Sequence, residues 1–180
     1  MINGKFVPAL ELVNVPGKMI VSRNFSGNEK RNEAGLIVNS FGNRNFVIKF
    51  PYEQAKALEE QGWDIFWYGL KEGQEETDRE AGLTIPVNLS TMTRKGLPRN
   101  PDEVVVVTPT RKTRQNEKII GNLDGATIIS ASIRLIPRQK NKNDGTVKIA
   151  AYLDKMFVEI AVDNFGSQYD GIPWADDEDE

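Results

Sequence analysis

Neither cysteine nor histidine occurs in this sequence. The first absence rules out a disulfide framework and thiolate metal sites, and the second removes the commonest general base and zinc ligand. There is no glycine-rich phosphate cradle with a following lysine, no dinucleotide fingerprint and no nucleophile elbow. Acids outside the C-terminal stretch lie scattered among loops, so a metal-dependent nuclease would need Asp64, Asp102, Asp124 or Asp154 to converge through folding. These absences point to a protein with no catalytic residues, no cofactor and no metal. No apolar run reaches the length of a signal peptide or a membrane span, so the expected protein is soluble, cytoplasmic and without a membrane partner.

What the sequence does have is two-residue periodicity. From Ala126 to Arg138, Ile129, Ala131, Ile133 and Leu135 are apolar while Ser130, Ser132, Arg134 and Arg138 take the alternate places, the pattern of a half-buried strand. The next arm alternates through Val147, Ile149, Ala151 and Leu153, with Lys148 and Tyr152 on the opposite face. After Asp154 the phase inverts: Met156, Val158, Ile160 and Val162 form the apolar set, and Lys155, Phe157 and Glu159 the other. Side chains on a strand repeat every second residue, so the inversion needs an extra residue, and a β-bulge or break is expected at Asp154–Lys155. Between the arms, Arg138 to Gly145 carries Arg138, Lys140 and Lys142 at alternate positions and an Asp-Gly turn signal. It reads as a mobile positive finger beside a face bearing Tyr152 and Phe157.

The rest reads as further strands and one short helix. Phe6–Val13 and Lys18–Phe25 flank Asn14-Val15-Pro16-Gly17 and look like an opening hairpin, with Gly17 supplying a positive φ. Ser26–Gly35 reads as a loop, and Leu36–Phe41 and Phe46–Phe50 as strands around the turn Gly42–Asn45. Pro51–Gln61 is a helix, with proline at its start, Tyr52, Ala55 and Leu58 along one side, and Gly62 to stop it. In Trp63–Leu70, Trp63, Ile65 and Trp67 alternate with Asp64, Phe66 and Tyr68, so one strand carries aromatics on both faces: a core feature first, with one face able to stack bases. Leu83–Leu89 alternates, and Pro86 marks it as an edge strand. Val104–Val107 suits a strand buried on both faces, and Glu117–Leu123 a helical turn. The fold class is all-β, and 180 residues suffice for one domain with a sizeable core.

The net charge of −3 conceals an asymmetry. Residues 159–180 hold eight acids and no Lys or Arg, which leaves 23 bases against 18 acids in the remainder; Arg94–Lys155 alone has 13 bases against 6 acids. Cations recur in loops at strand ends: Arg44; Arg94, Lys95 and Arg99; Arg111, Lys112 and Arg114; Arg138, Lys140 and Lys142. Arg134, Lys148 and Lys155 lie on the polar side of the central hairpin with Tyr152 and Phe157. Cations track a phosphate backbone and aromatics stack bases, a combination that binds single strands without reading their sequence. RNA binding would use the same residues, and a non-enzymatic structural or assembly protein would carry such charges as a solvated surface. Both alternatives stay open at this point.

Four pieces in order resemble the single-stranded-DNA-binding proteins of tailed bacteriophages: Gly42-Asn43-Arg44-Asn45-Phe46, Glu59-Glu60-Gln61-Gly62-Trp63-Asp64-Ile65, Leu123-Asp124-Gly125-Ala126 and Ala151-Tyr152-Leu153-Asp154-Lys155-Met156-Phe157-Val158. The resemblance runs from about Leu36 to Val162. It implies a five-stranded oligonucleotide/oligosaccharide-binding (OB) barrel, elaborated here by the N-terminal hairpin and one short α-helix. Such a protein coats and protects single-stranded DNA (ssDNA) during phage replication or recombination in the host cytoplasm. The acidic C-terminus, with Trp174, Asp176, Asp177, Glu178, Asp179 and Glu180, is similar to tails that recruit replication or recombination proteins. Here, however, Ile172-Pro173-Trp174 precedes the acids, whereas bacterial tails end on a hydrophobic tip. The expected division is a binding domain over residues 1–165 and a disordered tail over 166–180, because the last five residues are too charged to pack. A flexible acidic segment tethered to a basic groove competes with phosphates at high effective concentration. Deleting Asp176–Glu180 takes the net charge from −3 to +2 and should tighten ssDNA binding at low salt, the gain fading as salt screens the tail. Equal affinities of full-length and truncated chains in a low-salt titration would count against competition.

Overall fold

The computed structural model describes residue 2 and residues 4–161; the acidic tail and the expected boundary between 165 and 166 lie outside the described residues. Within them run eleven strands and one α-helix: β1 (Leu10–Pro16), β2 (Ile20–Asn24), β3 (Lys30–Arg31), β4 (Ile37–Asn39), β5 (Arg44–Phe50), α1 (Tyr52–Glu60), β6 (Phe66–Trp67), β7 (Ala81–Val87), β8 (Glu103–Val107), β9 (Lys112–Arg114), β10 (Ile128–Asn141) and β11 (Val147–Ile160). They form a five-stranded mixed sheet in the order β1-β10-β11-β8-β9, a four-stranded sheet β2-β5-β7-β6 and a ribbon β3-β4. No helix among the described residues is long and apolar enough to cross a membrane.

The two large sheets share chain paths. β1 and β2 are arms of one bent strand, the first paired to β10 and the second to β5. β7, paired to β5, leads through residues 88–102 into β8, which lies parallel to β11. The base of that connection is pinned where the Asn88 N–H donates to Asp102 and the Asp102 N–H to the Asn88 carbonyl. No ladder joins β7 to β8 or β11 among the described residues, but β7 packs against β11, so the two sheets close around one core in the manner of the expected five-stranded barrel. Its interior draws on both sheets: Ile20, Phe46, Ile48, Leu83, Ile85, Val104, Leu135 and Met156 are each at most 2% exposed. Burial of a side chain of this size contributes about 1.5–3 kcal/mol.

The phase inversion on β11 is resolved by a bulge. Arg134 pairs with Lys155 and Leu135 with Leu153, which leaves Asp154 as the extra residue. Ile149, Ala151 and Leu153 therefore point inward before it, and Met156, Val158 and Ile160 after it. The helix also stands as expected, entered from Pro51, burying Ala55 and Leu58, and ending at Gly62 with φ +100°.

Elsewhere tertiary pairing overrides local signals. The opening segments form no hairpin, because Pro16-Gly17 is a corner between sheets, completed by a 3-10 turn over Gly17–Met19. Positive φ falls on Asn14 (54°), where β1 slips register, and Gly17 serves close approach instead. Leu36–Phe41 does not pair with β5: its β4 portion pairs with β3, which lies inside the expected Ser26–Gly35 loop. The Trp63–Leu70 strand shrinks to β6, since Trp63 is bridged instead to Ile149 of β11 and turned into the core, 2% exposed. β7 is an inner strand, and Pro86 is tolerated because β6 reaches only Ala81 and Gly82, short of it. Ile129 is 51% exposed, since a register shift between Ile128 and Ser130 turns Ile128 inward in its place.

A Cβ on Gly17 would stand 1.7 Å from the Ile128 carbonyl oxygen, a backbone atom that cannot swing aside. Gly17→Ala should therefore cost at least about 1–3 kcal/mol in a denaturant unfolding curve. An unchanged midpoint would show that the corner relaxes freely.

Candidate nucleic-acid interface

A groove of about 810 Å³ lies over β5 and β7, walled on one side by residues 39–43 and on the other by the finger joining β10 to β11. Thr84 and Pro86, outward residues of β7, form part of its floor. Arg44 opens β5 directly after the turn at Gly42 (φ +89°) and lines the groove; its Nε is buried with no hydrogen-bond partner. Arg94 and Arg99 enter from the 88–102 connection, and Lys140, Lys142 and Tyr152 from β10, the finger and β11. Five of the predicted cations and one predicted aromatic thus share a single surface, drawn from segments far apart in the chain.

Two lysines of the finger reach Asp64. The N–H of Asp64 donates to the Ile149 carbonyl (2.8 Å) and the N–H of Ile149 to that of Gly62 (2.8 Å), fixing the segment after α1 beside β11. Lys140 Nζ then stands 3.0 Å from Asp64 Oδ2, and Lys142 Nζ 2.9 Å from Asp64 Oδ1. Burial pushes the Asp64 carboxyl up, but hydrogen bonds from Lys142 and Lys140, with their charges, outweigh it and hold the group below the usual range. Tyr152 is 45% exposed, and the Arg138 guanidinium lies 5.1 Å from its ring centroid, a cation–π contact that props the ring.

Two residues outside the expected set of contacts also shape the groove, the first from the aromatic segment of which one face was expected to be able to stack bases. Phe66 is 40% exposed and lines the groove. Its ring lies against Gly82, where a Cβ would come within 2.4 Å of it, so glycine at that position creates the seat. The available signal was parity, because Phe66 alternates with the buried Trp63. Asn39 stitches the other wall, its amide donating to the carbonyls of Asn28 and Asn43 while its oxygen accepts from Asn45 (3.0 Å). Asparagines in turns are too common for the sequence to have marked them.

Other predicted residues lie outside the lining. Lys95 sits at an exposed turn of the 88–102 connection, and Lys148 faces Lys140 across the β10–β11 ladder. Arg111, Lys112 and Arg114 lie at the β9 edge of the five-stranded sheet, with Arg114 3.7 Å from Glu103. Arg134 is engaged by Glu11 (3.3 Å) and Asp154 (2.8 Å). Lys155 and Phe157 face outward past the bulge, Phe157 41% exposed with Ser132 and Val105 as its cross-strand neighbours. Trp174 and Asp176–Glu180 fall outside the described residues.

Asp102, at the groove, is pushed up to about 6 chiefly by burial, with the charge of Asp154 adding to it, against the Asn88 N–H and Arg99, which favour the ionised form. Its folded value lies above the ordinary 3.8, so the folded state holds the extra proton between these limits. The contribution of Asp102 to stability is greatest below about pH 4 and is lost as pH rises through 6. Asp102→Asn, which cannot ionise, should gain in melting temperature relative to wild type across that interval; parallel melting curves would refute the shift.

A family model described as "Putative phage ssDNA-binding domain" matches residues 3–179. Among curated proteins none matches the chain. Among solved structures, that of gp2.5, a single-stranded DNA binding protein encoded by bacteriophage T7, aligns at 14% identity with a TM-score of 0.42, over 92% of this chain and 96% of that one.

Proposed function

This chain belongs to the phage ssDNA-binding domain family, and from that membership we propose that it binds and protects single-stranded DNA without strong sequence preference. The observation that carries the reading is the groove, where Arg44, Arg94, Arg99, Lys140 and Lys142 surround the exposed rings of Tyr152 and Phe66. Cations follow the phosphates while the rings stack bases, and neither requires a particular sequence. A single strand bares its base faces to such rings and a duplex does not. Binding is non-enzymatic and serves replication or recombination of phage DNA in the host cytoplasm. Lys155, Phe157 and Arg114, on the outer face past the bulge, extend the path beyond the groove. Trp174 and the terminal acids recruit replication or recombination proteins.

Titration of intrinsic fluorescence with poly(dT) tests this reading, with duplex of equal length expected to bind much more weakly. Tyr152→Ala should lose about 1–3 kcal/mol of binding with its unfolding midpoint unchanged. Wild-type affinity in a folded Tyr152→Ala protein would remove the ring from the interface, and equal affinity for duplex would remove the single-strand reading itself.

A further inference from the structure

We propose that Asp64 is an internal stand-in for a DNA phosphate: it holds Lys140 and Lys142 as a phosphodiester would, and the incoming strand displaces it. The inference rests on the ssDNA reading above. Its basis is that the two ammonium groups converge on different oxygens of one carboxylate, at 3.0 and 2.9 Å. A phosphodiester offers the same features, two terminal oxygens sharing one negative charge.

The arrangement also says which partner moves. Asp64 is anchored by its backbone pairing with Ile149, and its side chain is only 19% exposed. The side chains of Lys140 and Lys142 are 50% and 35% exposed, on long stems that can turn from the carboxylate to a ligand in the groove. Nor does the finger need Asp64 for its shape. The β10–β11 ladder continues to Asn141 and Val147, and the tip closes on itself through Lys142 N–H to Thr146 O (2.9 Å), Gly145 N–H to Lys142 O (3.1 Å), and the Thr146 N–H and hydroxyl, which both donate to Asp144 Oδ1. Asp102 differs: it also faces a groove cation, Arg99, but accepts the Asn88 N–H and so secures the backbone. Asp64 spends its carboxylate on the two lysines alone among the described contacts.

The lysine ends of these ion pairs are partly exposed, which opens them to exchange, but the exchange lowers the net gain from each lysine. In the free protein these lysines already have a fixed counter-charge, and fewer ions are released when phosphate takes its place.

The test is poly(dT) titration over a salt series with the full-length chain. Asp64→Asn should bind several-fold tighter at low salt, with a log–log slope steeper by roughly 0.7 to 1.4, the contribution of one to two freed lysines on a single strand. The gain should vanish when Lys140 and Lys142 are both replaced by alanine, and Asp64→Glu should bind like wild type. Equal or weaker binding by a folded Asp64→Asn protein overturns the proposal, as does a gain that survives without the lysines, since Asp64 would then repel DNA only as a diffuse charge. Asp64→Ser takes the place of Asp64→Asn if that protein does not fold. A wild-type chain that ignores poly(dT) defeats the ssDNA reading and this inference together, whereas a wild type that binds, with an unresponsive Asp64, defeats this inference alone.

Discussion

The β10–β11 ladder is the constraint on which the rest of the barrel hangs. β11 pairs antiparallel with β10 on one side and parallel with β8 on the other, so it must present an apolar face inward along its whole length. A regular strand of 14 residues cannot keep one face on a curved core without local adjustment, and the extra residue Asp154 supplies it. The bulge is held by the ion pair between Asp154 and Arg134 on the partner strand. With the inner face secured, Tyr152 and Phe157 fall on the outer one, Tyr152 before the bulge and Phe157 after it. The device that closes the core also sets out the exposed aromatics.

The groove is not simply positive. Asp64, Asp102 and Glu117 line it together with its Arg and Lys side chains. Much of its cationic charge is thereby compensated before any ligand arrives, and affinity becomes a difference between exchanged ion pairs rather than a sum over lysines. Such compensation has a structural use as well. Several cations gathered in one concavity repel one another, and the acids let the loops that carry them approach without an opposing charge term. The rings are supported in the same economical way, Tyr152 by Arg138 and Phe66 by the bare backbone of Gly82.

Short-range signals were legible where a single strand or helix decided the outcome. The alternation in β11, its inversion at Asp154, the Val104–Val107 strand and the helix ending at Gly62 all follow from periods and stop residues that act over a few positions. The misreadings share one cause, that partners distant in the chain replaced the local ones. Pro16-Gly17 has the composition of a turn, yet it became a corner because β1 was claimed by β10 and β2 by β5. Ile129 belongs to the apolar set by count, and only the register against Ile160 and Glu159 turned it outward.

For the site, the sequence by itself determined which residue types were available: basic loops, outward aromatics on the central hairpin, and no histidine or cysteine for other chemistry. Loop cations are visible as composition because charge need not be paired to be recognised. Only the tertiary structure decided which of them meet. Barrel closure brought Arg44, Arg99 and Lys142 to one groove and left Arg111, Lys112 and Arg114 at a sheet edge, although the two groups look alike in the chain. It also set Asp64 between two lysines more than 70 positions away, an interaction no period or motif announces. The reason is physical: side-chain direction along a strand is local, whereas the neighbour across a groove is fixed by the pairing of strands whose order the chain does not spell out.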